Sequence, residues 1–214
     1  DGLVRVSPLI ARLRELNMPA VAITDLANLF ALIKFYSGAQ QAGIKPVCGC
    51  DVLVENDAGQ RTPLVLLVQN EAGYLNLTTL ISEIYTRAGG VADPVIRQSE
   101  LAGRTDGLLA LSGAQHGDIG AALLAGEFEL AEDLVQGWMA LFPDRFYLEL
   151  QRVGKRDEEA YIAAVVRLSQ KLQCPVVATN DVRFLEQGDF DAHEVRVCIN
   201  ERRTLDDPRR PHNY

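Results

Sequence analysis

Short apolar runs that alternate with stretches of helical periodicity hold this chain to an α/β fold, and three of those runs end in an aspartate. They are Val21-Ala22-Ile23-Thr24-Asp25, Val47-Cys48-Gly49-Cys50-Asp51 and Val176-Val177-Ala178-Thr179-Asn180-Asp181. As parallel strands they deliver three carboxylates to one mouth of a sheet, the place where α/β folds build their sites. A mouth that worked on phosphate through metal ions calls for histidines beside those acids. The neighbours are Leu26, Val52 and Arg183, so the pattern reads as a metal-site architecture that has largely lost its metal.

The chain has 214 residues, 48% apolar and 23% charged, enough to bury one substantial core. Its 21 basic and 29 acidic residues leave a net charge of −8, which repels a polyanion and disfavours nucleic-acid binding by this segment alone. No window approaches 18 uninterrupted apolar residues and no signal-peptide pattern opens the chain, so no membrane role and a cytoplasmic location are expected. Cys48, Cys50, Cys174 and Cys198 form no C-x-x-C knuckle, and they read as small buried hydrophobes of a reducing compartment.

The first element is a helix, with Ser7 as N-cap, Pro8 as first helical residue and Ile10, Leu13 and Leu16 at helical spacing. Because βα folds usually open on a strand, a segment preceding Asp1 is expected. A strand over 20–24 leads to a helix with the apolar stripe Leu29, Leu32, Ile33 and Tyr36, closed near Gly43, and then to a strand over 46–54. The Asp57-Ala58-Gly59 turn leaves two connections open for the strand over 64–68, a hairpin or a crossover. A helix from Glu71 places Tyr74, Leu77, Leu80, Ile81 and Ile84 on one side and ends at Gly89-Gly90.

Strands over 107–111, 146–150 and 175–179 then alternate with helices over 118–124, 127–141, 157–172 and 190–199. The long helices carry Trp138 in one case and Tyr161, Val165 and Leu168 in the other. With the expected leading strand this gives about seven strands in a largely parallel sheet, closed or nearly closed into a barrel. Residues 1–203 form that domain. Residues 204–214, polar and holding Pro208 and Pro211, read as a connector towards a further domain.

Several ordered motifs carry a resemblance. Ala22-Ile23-Thr24-Asp25 with Asn28-Leu29, Gly43-Ile44-Lys45-Pro46, Gly73-Tyr74-Leu75-Asn76-Leu77, Leu111-Ser112-Gly113, Ala178-Thr179-Asn180-Asp181-Val182, Ala192-His193-Glu194 and Thr204-Leu205-Asp206-Asp207-Pro208 span nearly the whole chain. Together they closely resemble the polymerase-and-histidinol-phosphatase (PHP) domain at the N-terminus of bacterial replicative DNA polymerase III alpha subunits. The match is closest to the proteobacterial type, whose metal site is degenerate. The resemblance implies a distorted PHP-type barrel whose first strand, bearing a His-x-His pair of ligands, lies upstream of Asp1.

Position by position, the resemblance makes Asp1, Asp25, Asp51 and Asp181 the remnant metal ligands. It also marks five positions where a donor has been replaced: Leu26, Pro63, Val153 and Arg183 stand for histidines and Ala114 for a cysteine. Transition ions are held by imidazole and thiolate together with carboxylate, so removing five such donors removes a cluster. Arg183 goes further, since a guanidinium in the old ligand shell repels dications and can neutralise Asp181. The acids then serve as strand-end and helix-capping acceptors, with weakly held magnesium the remaining metal they suit.

His116, His193 and His212 do not stand at the vacated positions, and His193-Glu194 lacks the second histidine of a metalloprotease helix. No nucleophile elbow, Walker loop or dinucleotide fingerprint is present. The expected role is therefore a non-catalytic structural module. It packs on the polymerase core of the same chain and, by resemblance, docks the proofreading exonuclease subunit. DNA contact, magnesium and nucleotidyl transfer belong to the full-length protein, and no residue of this segment is expected to be catalytic. The alternative is a metal-dependent phosphoesterase, either a 3'-5' exonuclease or a pyrophosphatase. A sugar-phosphate-binding barrel ranks last, because 181–191 offers only Gly188 for a phosphate cradle.

Overall fold

The computed structural model describes residues 2–87 and 94–209. Asp1 and His212 lie outside them, as does the expected end of a helix at Gly89-Gly90. The element order is α1 (Val6–Glu15), β1 (Ala20–Leu26), α2 (Leu32–Gln41), β2 (Lys45–Glu55), β3 (Arg61–Val68), α3 (Glu71–Arg87), β4 (Val95–Arg97), β5 (Leu108–Leu111), α4 (Asp118–Ala125), α5 (Phe128–Leu141), β6 (Phe146–Leu150), α6 (Glu158–Leu172), β7 (Val176–Ala178) and α7 (Phe190–Glu201).

The strands form one curled sheet in the order β1-β2-β3-β5-β6-β7, with β4 added beside β2. β1 and β2 are parallel, as are β5, β6 and β7, while β3 runs against both of its neighbours. The reversal comes from the hairpin at 56–60, where the Asn56 carboxamide oxygen accepts from the backbone N–H of Ala58 and Gln60. The barrel expected from the alternation is open: β1 and β7 are outer strands, and among the described residues no strand joins them.

Two apolar cores support this sheet. The larger one packs Leu64, Leu66, Leu108 and Leu148 of the strands against Leu77, Leu80, Val135, Trp138, Tyr161 and Val165 of the helices. The smaller one joins α1 and α2 through Leu13, Phe35, Ala39 and Ile44. Burying Phe35 completely contributes about 2–3 kcal/mol.

Several local expectations are corrected. α1 starts at Val6 with Arg5 as its cap, so Ser7 and Pro8 lie within the first turn, where proline's missing N–H costs nothing. Asp51 does not end its strand, because β2 continues four residues further to Glu55 in pairing with β3. On α2 the buried stripe is Leu32, Phe35 and Ala39, which leaves Ile33 and Tyr36 exposed. Tyr74 of α3 is likewise exposed, and Gly73 faces inward because a side chain there would collide with the Gly107 carbonyl. The short β4 was not foreseen.

Candidate functional site

The carboxyl ends of β1 and β6, the middle of β2 and the loop after β7 set the acids in place. Asp25 pairs in register with Cys50, and Leu26 with Asp51, so those two acids ride on neighbouring parallel strands. Asp181 lies three residues beyond β7. Its two oxygens are taken by cations: Lys155 Nζ at 2.9 Å from Oδ2 and Arg183 Nε at 2.7 Å from Oδ1. Burial pushes the Asp181 carboxyl up, but Lys155 and Arg183 outweigh it and hold the group below the usual carboxylate range.

Asp51 goes the other way. Burial drives its pKa up to about 6, opposed by a hydrogen bond from Thr24; the negative charge of Glu149 adds to the rise. Asp25 keeps a capping role. Its Oδ2 accepts from the Ala31 N–H at 3.3 Å, just ahead of α2, and its carbonyl accepts from Cys50 Sγ at 3.2 Å. Burial lifts the Cys50 thiol to about 12, so at neutral pH it is a hydrogen-bond donor and no metal-binding thiolate.

Glu149, which the sequence reading passed over, is the most buried carboxylate of the group at 3% exposure. Oε1 accepts from the Thr179 hydroxyl and from Gln151 Nε2 at 3.2 Å, whereas Oε2 has no partner among the described residues. Its backbone is pinned as well, by Ser112 Oγ accepting from its N–H at 3.0 Å and by Tyr161 O–H donating to its carbonyl at 2.7 Å. A glutamate inside the otherwise apolar run Phe146–Leu150 was the available signal. Lys155 sits in a loop and carried none.

The five positions where the family resemblance places donors hold groups that bind no metal through their side chains. Leu26 is 60% exposed at the rim. Pro63 sits in β3, where its carbonyl presses against Gly113. Ala114 is buried in a left-handed conformation with φ +50°, directly after the left-handed Gly113. Val153 and Gly154 donate their N–H groups to the buried Glu158 carboxylate at 2.7 and 2.9 Å. Arg183 grips Asp181, and its carbonyl accepts from Leu3 N–H at 2.7 Å, which ties the start of the chain to the mouth.

Among the described residues no three His, Cys, Asp or Glu side chains are placed to hold a metal ion. The chemistry of the donors argues the same way: carboxylates faced by a guanidinium and an ammonium do not fit a zinc- or manganese-type cluster. His116 lies near Lys155 and Asp181, and partial desolvation of its ring followed by the Lys155 charge lowers its pKa. His193 is buried on α7 with its ring 5.5 Å from that of Phe184, and burial followed by the Arg183 charge lowers its pKa.

An open, curled sheet with a carboxylate mouth and covering helices defines a class, and sequence comparison gives the same one: residues 1–153 match the PHP domain, and the chain belongs to the PHP domain family. Its relatives include DNA polymerase III subunit alpha of Pseudomonas aeruginosa, 49% identical, and of Escherichia coli K12, 48% identical, both over the whole of this chain. The chain spans only 18% and 19% of the length of these two proteins.

Solved structures share the fold. A protein from Bifidobacterium adolescentis described as a metal-dependent phosphoesterase superposes with a TM-score of 0.55 at 9% identity, covering 92% of each chain. An amidohydrolase from Chromobacterium violaceum gives 0.56 at 14% identity, covering 92% of this chain and 93% of its own.

Proposed function

We propose that this chain is the PHP domain of a DNA polymerase III alpha subunit and that it serves there as a non-catalytic structural and docking module. In this reading it packs against the polymerase core of its own polypeptide and receives the proofreading exonuclease subunit. DNA synthesis from deoxynucleoside triphosphates with magnesium takes place elsewhere in that polypeptide. The observation that carries the reading is the double clamp on Asp181: Lys155 and Arg183 occupy the carboxylate that a metal needs. A mouth built this way stabilises itself through charge-assisted hydrogen bonds and withdraws Asp181 from any metal's coordination shell.

The test uses the intact polypeptide. Bound metal and phosphomonoester hydrolysis are measured, and co-elution with the exonuclease subunit is followed in the same preparation. Inert protein that co-elutes supports the module. Active, metal-loaded protein that does not co-elute supports the phosphoesterase alternative.

A further inference from the structure

The outer face of α2 carries two large apolar side chains, Ile33 and Tyr36, among the polar Lys34, Ser37, Gln40 and Gln41. Its inner stripe, Leu32, Phe35 and Ala39, is already buried in the smaller core, so the outer residues are surplus to folding. Ile33 is 74% exposed and Tyr36 is 42% exposed on that outer face. Phe30, in the turn leading into the helix, is 89% exposed, and Leu26 at the rim is 60% exposed. Ile33 and Tyr36 lie three apart on α2, one helical face, and Phe30 and Leu26 extend the apolar surface from the turn and the strand end that lead into it.

The strip is preformed. Asn28 Nδ2 donates to the Leu26 carbonyl at 2.9 Å, Phe30 N–H donates to Asn28 Oδ1 at 3.0 Å, and Ala31 N–H donates to Asp25 at 3.3 Å. At its far end Tyr36 and Gln40 border a shallow hollow of about 600 Å³ floored by Gly43, Ile44, Lys45 and Pro46. These three hydrogen bonds fix the backbone of the turn that presents Phe30, so little backbone entropy is left to lose on binding.

Charge selects the occupant. From Leu26 to Cys50 the chain has two cations, Lys34 and Lys45, and no carboxylate, against −8 for the whole chain. Neither lysine forms an ion pair among the described residues. We infer that the strip Leu26–Phe30–Ile33–Tyr36, with its hollow, is the docking site for an acidic amphipathic segment of a partner protein. That segment lays large apolar side chains along α2 while its Asp or Glu residues meet Lys34 and Lys45. The inference rests on the docking role proposed above and locates the surface that performs it.

Two probes test it on the intact polypeptide. The first is a helical peptide with leucines three and four apart and glutamates between them, set against a twin carrying lysines in place of the glutamates. The acidic peptide is expected to bind better than its twin, to bind about tenfold more weakly or worse to Phe30→Asp, and to lose its advantage in the double variant Lys34→Glu, Lys45→Glu. Equal binding of the two peptides, or binding that ignores Phe30→Asp, overturns the inference.

The second probe is the exonuclease subunit. Co-elution with the wild type that is lost with Phe30→Asp supports the strip, and co-elution retained by the variant overturns it while leaving the docking role intact. If the wild type itself fails to co-elute, the exonuclease docking role falls, and the peptide preference alone decides the strip. A lower unfolding midpoint in Phe30→Asp also overturns it, because the intact polypeptide or a second copy then covers that face.

Discussion

Arg183 Nε stands 2.7 Å from Asp181 Oδ1, in a sequence slot where the family resemblance puts a histidine. Together with Lys155 on the other oxygen, it turns a carboxylate suited to a cation into one already neutralised. The mouth of the sheet is thereby held by protein charges in place of ions.

Removing the carboxylate leaves Lys155 and Arg183 facing one another in a partly buried space. Asp181→Ala is expected to cost about 2 kcal/mol, below the figure for fully buried pairs because Arg183 is a third exposed. Lys155→Met is milder, since Arg183 keeps its hold. Urea midpoints with an unchanged m-value read both effects.

Asp51 makes stability depend on pH with a definite sign. Its folded pKa, about 6, lies above the ordinary 3.8, so the protonated form is favoured by folding. The associated stability is fully present below about pH 4 and is lost as pH rises through about 6. Asp51→Asn is therefore expected to stabilise at pH 7.5, on the order of 2 kcal/mol, and to change little at pH 4. Asp181, with its lowered pKa, contributes in the opposite sense: its stability is present above about pH 4 and is lost only as pH falls below its ordinary value. Thermal midpoints of the variant and wild type, followed from about pH 2 to pH 8, separate the two.

The loop after β5 is held by backbone fit. A Cβ on Gly113 would sit 2.3 Å from the Pro63 carbonyl oxygen at φ +73°. Gly113→Ala should cost about 2–3 kcal/mol, compared with about 1 kcal/mol for Gly59→Ala, where φ is +77° but nothing lies within 4 Å. Chemical denaturation of the two variants side by side checks the difference.

A single restored donor is not enough. Arg183→His removes the guanidinium, yet Leu26, Pro63, Ala114 and Val153 still supply no side-chain ligand. The expected result by elemental analysis is no tight, stoichiometric zinc or manganese.

Much of this was legible in the residues because it rests on local patterns. The run Phe146–Leu150 and the buried stripe Tyr161, Val165 and Leu168 follow from periodicity alone. The gathering of the three aspartates followed from motif order, but their partners did not. Lys155 reaches Asp181 across 26 residues and Glu149 meets Thr179 across 30, contacts set by strand order that no local window contains. The α2 stripe was misassigned because Leu32, Ile33, Phe35 and Tyr36 offer two apolar faces, and only tertiary packing on Leu13 chooses between them.

The most direct measurement is the metal content of the intact polypeptide at the PHP mouth, read with the thermal midpoint before and after chelation. The account expects well under one equivalent of tightly held dication and an unfolding midpoint that chelator leaves unmoved. Two or more firmly bound ions among Asp25, Asp51 and Asp181, with a midpoint that falls when they are stripped, would contradict it.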